Sequence, residues 1–181
     1  WKYTRLRRLE ARRFPARDAV DVPVALPAPL ASHRVALVDG RRRADLSSGG
    51  LPAGLQLSTL AQAHAAGESI AALLRTPQGG GTERFAALNA ALCPDPLLLD
   101  VAEGASVEPL EIVVASTASA PGMSHPRLVI RAARGSTSRL VLRHVGDDAE
   151  RLVNSVVDIE VGPDATVHVY RLLDNGPSTF H

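Results

Sequence analysis

The side chains with the widest chemical range in this chain are Cys93 and six histidines, His33, His64, His125, His144, His168 and His181. No two histidines stand at the i, i+4 spacing with an intervening Glu that a helical zinc site uses, so a metal would have to be gathered from separate elements. A single cysteine excludes an internal disulfide, a CxxC pair and an all-cysteine metal site built from this chain alone, and it predicts a reducing, cytoplasmic setting. His144 and His168 fall in predicted strands of neighbouring repeats, where stacking would let them approach one another. His168, between Val167 and Val169, shares its predicted outward face with Tyr170. Cys93 closes a predicted helix next to Leu92 and ahead of Pro94. That setting favours a packed, inert thiol over a ligand or sulfur acceptor, which needs exposure and a lowered pKa. His168, His144 and Cys93 are therefore weak candidates for iron or cluster ligation, set against the plainer expectation of surface histidines and a buried thiol. No residue is assigned outright as catalytic, cofactor-binding or metal-binding.

Other chemistries find less support. The triplet Gly79-Gly80-Gly81 is followed by Thr82-Glu83, without the lysine that a phosphate-binding loop places on the β and γ phosphates. Neither a GxSxG elbow nor a GxGxxG fingerprint occurs. Asp147, Asp148 and Glu150 lie in a predicted surface turn and read as solvated acids, although polysaccharide-cleaving folds built of stacked strands do place carboxylates on an exposed face.

These side chains must be positioned by elements of two kinds. Up to about Pro96 the pattern is helical and irregular. WKYTRLRRLEARRF places Leu6 and Leu9 one turn apart among arginines, an amphipathic helix with a thin apolar stripe. Pro23, Pro27 and Pro29 then mark a linker. Val35 and Leu37 alternate into Asp39-Gly40, a hairpin signal. Residues 57–75 predict two short helices broken at Gly67. After Thr82, a plausible N-cap, Phe85, Leu88 and Leu92 share one helix face.

From Leu97 onward, short alternating aliphatic runs replace helices. In NSVVDIEVG, Ser155, Val157, Ile159 and Val161 point one way, while Asn154, Val156, Asp158 and Glu160 point the other. Three segments superimpose: EGASVEPLEI (103–112), RGSTSRLVLR (134–143) and PDATVHVYRL (163–172), at spacings of 31 and 29 residues. Each begins with a turn residue, Gly104, Gly135 or Asp164, and runs into an alternating strand. A period near 30 suits a solenoid that buries a continuous aliphatic ladder; an antiparallel sandwich or jelly roll is the rival architecture.

The chain has 181 residues, 45% of them hydrophobic, with mean hydropathy near zero, enough for a substantial core. No run approaches the roughly 18 consecutive apolar residues of a membrane span, and the basic opening lacks a signal-peptide apolar region. Membrane and secretory roles are therefore not expected. The net charge of +1 hides a division: residues 1–43 carry eleven Lys or Arg against four acids, and the remainder nine Arg against fifteen acids. A basic front could face phosphate or an acidic partner. After Phe14, however, only Phe85, Tyr170 and Phe180 could stack on bases, so nucleic acid is not an expected partner.

Several of these segments, taken in order, resemble the SufB/SufD family, and within it SufD. They are WKYT before a short helix, VALVDGRRRADLS, FAALNAAL, and then DPLLLDVAEGASVEPLEIV with Val101, Gly104, Val107, Glu108, Pro109 and Leu110 at the turn and strand. PRLVIRAARGSTSRLVLRHVG and NSVVDIEVGPDATVHVYRLLD are similar to the segments that follow. The resemblance spans essentially the whole chain. It implies a mainly β fold, a partial right-handed parallel β-helix over 97–181 preceded by a small helical or α+β region over 1–96. It also implies a non-catalytic scaffold subunit of the SUF iron–sulfur cluster assembly complex, partnered by a SufB-like paralogue and a SufC-like ABC ATPase. In that setting the full complex can hold an iron–sulfur cluster transiently; no cofactor is assigned to this chain itself, and whether it meets a cluster, iron or a flavin stays open. The family's best-known functional histidine and cysteine lie in later coils, so none is carried over here. Family members continue through further coils to a C-terminal helical region, so the resemblance implies a chain that stops within the β-helix with an exposed apolar end prone to end-to-end association. Two other classes remain open on the residues alone: a β-helix enzyme acting on carbohydrate or transferring acyl groups, and a purely structural protein-binding solenoid.

Overall fold

In the computed structural model, residues 7–15, 24–48, 50–74, 83–116 and 121–181 are described. The WKYT segment, the glycine triplet at 79–81 and the proposed Thr82 cap lie outside these. Helix α1 spans only Arg7–Glu10, and residues 12–15 leave the helical path that the arginine-rich pattern predicts. Tertiary contact accounts for the difference: Phe14 packs edge-on against Phe180 at 5.9 Å, and Pro15 O accepts a hydrogen bond from Met123 N–H at 3.0 Å. A thin apolar stripe cannot outweigh those contacts.

Asp39 and Gly40 both adopt positive φ (49° and 83°), which lets β1 (His33–Val38) fold back antiparallel on β2 (Arg41–Arg43), as the dipeptide predicts. After β3 (Leu55–Thr59), a capping box starts α2 (Leu60–Ala65): Gln62 N–H donates to Thr59 Oγ1, and Thr59 N–H donates to the Gln62 side chain. Gly67, at φ 93°, ends that turn of helix, and Ser69 caps α3 (Ile70–Leu73). Helix α4 (Glu83–Leu92) follows. Its buried face is not the predicted one: Leu92 is exposed, whereas Asn89 is fully buried.

Nine strands then form three similar units. The first contains β4 (Leu97–Val101), β5 (Leu110–Ala115) and β6 (Gly122–Ser124); the second β7 (Arg127–Ala132), β8 (Thr137–Val145) and β9 (Arg151–Val153); the third β10 (Val156–Val161), β11 (Thr166–Asp174) and β12 (Thr179–Phe180). Each strand pairs in parallel with its counterpart in the next unit, Leu110 with Leu140 and Leu140 with Val169. An antiparallel sandwich does not pair this way. Between the first two strands of each unit, Gly104, Gly135 and Asp164 occupy the same left-handed position at φ 66°, 65° and 57°. These turns stack: Gly104 N–H donates to Arg134 O and Gly135 N–H to Pro163 O, each at 2.9 Å. The repeat seen in the sequence is this turn recurring.

Alternation turns one row of side chains inward from each strand. Leu99 and Ile130 sit in one such row, Leu110 and Leu140 in another, Ile112 and Leu142 in a third, all within one core cluster. Each fully buried aliphatic side chain of this kind stabilises the fold by roughly 1.5–3 kcal/mol relative to exposure. The outward faces are covered in turn. Helices α2 and α3 pack Leu60, Ala63 and Leu73 on Leu98 and Val129; Val24 and Leu26 pack on Val113 and Val145. The fold is mainly β. Its sheets run on into the first 96 residues, since β1 pairs in parallel with β5 and β3 pairs antiparallel with β4.

Candidate functional site

The three ligand candidates are not brought together. His144 lies on the inward face of β8, with Val114 opposite it in β5 and Leu173 in β11. It is 0% exposed, and among the described residues neither ring nitrogen has a hydrogen-bond partner. Burial, reinforced by the charge of Arg171, pushes its pKa down to about 3, so the ring is neutral at physiological pH. His168 stands opposite Arg139 on the outer face of β11 and is exposed beside Tyr170, as its alternation predicts. The two rings therefore occupy opposite faces, and the expected approach of His144 to His168 across stacked strands does not occur. Stacking preserves parity: an even step along β8 cannot meet an outward residue of β11.

Cys93 follows α4 and is half-buried. Desolvation raises its pKa to about 11, leaving a protonated thiol, the state expected of a packed cysteine. Among the described residues no group of three or more His, Cys, Asp or Glu side chains is placed to hold a metal ion, and no helix is long and apolar enough to cross a membrane. Asp147 is paired with Arg151 and Glu150 with Arg12, so the acidic turn is engaged in ion pairs.

Sequence reasoning missed the buried polar residues. Asn89 donates to Pro126 O (3.0 Å) and Asn154 O (2.8 Å), and Asn154 donates back to Phe85 O (2.8 Å), which fastens α4 to the strands. Glu111, outward on β5, accepts from Arg34 Nε (2.8 Å) and from Leu30 N–H (3.1 Å), pinning the extended segment 24–30 over the sheet. Arg131 forks between Asp100, its register partner on β4, and Glu68 between α2 and α3. These hydrogen bonds hold the Glu68 carboxyl below its ordinary range. Below α3 this leaves a cleft of about 270 Å³ whose walls include Ala72, Leu73 and Val129. Two carboxylates satisfied by one guanidinium form a clamp, not an acid–base pair.

The last unit presents the most apolar exposed strands among the described residues. The strands β10, β11 and β12 each form the margin of one sheet. At the opposite margins the edges are covered or blunted: β2 is three residues long and all arginine, β3 leads into α2, and β6 hydrogen-bonds Pro15. By contrast β11 is nine residues long, and Ile159, Val161, Val169, Leu172 and Leu173 are exposed on β10 and β11, with Tyr170 56% exposed among them. Comparison with known protein families and with curated proteins finds no match to this chain.

Proposed function

We propose that the three units are coils of a right-handed parallel β-helix and that the chain is a non-catalytic scaffold subunit in iron–sulfur cluster assembly, SufD-like within the SufB/SufD family. Two observations carry this reading. Parallel ladders of about 30-residue period with a recurrent left-handed turn are the geometry such a helix requires. The segments that carry the resemblance also fall on structural units, VALVDGRRRADLS on β1 and β2 and GASVEPLEI on the first stacked turn and β5.

In this role the chain acts as a rigid platform. It pairs with a SufB-like paralogue and responds to the SufC-like ABC ATPase, which supplies the nucleotide hydrolysis. The cluster is the machinery's cargo, and its ligands come mainly from the partner, in keeping with a buried neutral His144 and a protonated Cys93 here. Affinity-tagged full-length protein expressed in its own cells should retain both partners through purification, and deleting it should lower the activity of iron–sulfur enzymes. Failure to retain either partner, together with normal cluster supply in the deletion strain, would overturn the proposal.

A further inference from the structure

Helix α4 is held to the strands by polar contacts. None of the apolar side chains described for it, Phe85 and Leu88 included, belongs to any of the three core clusters. Its fastening runs instead through Asn89, which donates to Pro126 O and Asn154 O, and through Asn154, which donates to Phe85 O. Pro126 and Asn154 lie at the successive corners that lead into β7 and β10. The same amide nitrogen of Asn154 stands 3.2 Å from Nδ1 of His125, a residue only 3% exposed whose Nε2 has no partner among the described residues. Phe85 O can only accept, which fixes the Asn154 amide with its nitrogen toward both contacts. Nδ1 is therefore an acceptor, and the single proton of the neutral ring sits on Nε2.

We propose that His125 is a proton-sensitive latch for α4: the helix stays docked while the ring is neutral and loosens when the ring takes up a second proton. One amide nitrogen serves two acceptors here, and this is what makes the contact sensitive. A proton on Nδ1 sets one donor against another across 3.2 Å. If the Asn154 amide turns over to offer Oδ1 to the ring, that oxygen also faces Phe85 O, acceptor against acceptor, and the bond to α4 is lost. If the amide does not turn, a buried imidazolium is left with no acceptor on either nitrogen, which is strongly destabilising. Charged groups on the surrounding elements do not relieve it. On β7, Arg127 pairs with Asp158 of β10 at 2.7 Å; on β9, Arg151 is paired with Asp147. On α4, Arg84 is exposed, and β6 carries no charged side chain. In the turn after α4 the Cys93 thiol is protonated, and Asp95 lies in the field of Arg41 and Arg42. Burial already holds the His125 ring below its ordinary pKa of 6.5. Docking is therefore fully favoured above 6.5 and is lost as pH falls from there through the depressed value.

The latch is tested by amide hydrogen exchange of the whole chain, followed by NMR between about pH 7.5 and 5 and corrected for the intrinsic pH dependence of exchange. Opening of the Leu88 and Ala90 amides in α4 should rise at least tenfold over that range, setting in below about pH 6.5. The Leu99 and Ile112 amides of the buried strands should keep their protection. H125Q, which retains a side-chain acceptor for Asn154 but cannot titrate, should hold α4 closed throughout. H144L, which removes the buried imidazole of β8, should respond as the parent does. Exchange of α4 that ignores pH, a rise shared equally by α4 and the strands, or the same pH response in H125Q as in the parent would each overturn the inference. Should H125Q not fold, the parent still decides: a His125 imidazole that titrates at or above about 6.5 is equally fatal to it.

Discussion

At the scale of single residues, burial decides which groups carry protons. Cys93 keeps its proton because desolvation outweighs the nearby charge of Arg127. His144 stays neutral for the same reason, and this has a consequence for acid stability. Its folded pKa, about 3, is depressed below the ordinary 6.5, so its contribution is fully present above 6.5 and is lost as pH falls from there toward 3. The span corresponds to about 5 kcal/mol. Unfolding midpoints measured by circular dichroism should fall steeply through this window. In H144L, whose side chain continues the aliphatic row, the fall should be shallower. Indistinguishable slopes for the two proteins would show that His144 does not control the acid limb.

Elements are set by turns as much as by strands. Gly135 and Asp164 occupy equivalent left-handed positions, but only glycine does so without steric cost. A Cβ at Gly135 would meet nothing within 4 Å, so G135A isolates the backbone term. It should destabilise by about 1–2 kcal/mol in denaturant titration, and D164G should stabilise by a few tenths to about 1 kcal/mol. A neutral G135A would mean that the turn relaxes and does not fix the register of successive units. The strand pattern and these turns were legible in the sequence because each depends on local alternation and local φ. The face of α4 was not, because Asn89 is buried by acceptors 37 and 65 residues away, and apolar periodicity carries no trace of them. The path of residues 12–15 was hidden in the same way, being set by Phe180 at the far end of the chain.

At the scale of the whole 181-residue chain, the exposed apolar side chains of β10 and β11 govern association. Val161 and Leu173 are 53% and 56% exposed on the open margin. The chain should therefore self-associate through these side chains at micromolar concentration. V161K/L173K should shift it toward monomer in light scattering while changing stability by no more than about 0.5–1 kcal/mol, as expected of exposed positions. A parent chain that is already monomeric would contradict the expectation.

What the sequence by itself determined is the repeat, the alternation within each strand, the left-handed turns and the basic front, all properties of residues close together in the chain. Only the tertiary structure decided which side chains meet. It separated His144 from His168, set His144 beside His181 and Arg171, and buried Glu111 against Arg34. The physical reason is that stacking fixes the inward or outward face of each residue relative to a strand some 30 positions away. Proximity across units follows from that three-dimensional parity, which spacing along the chain does not encode.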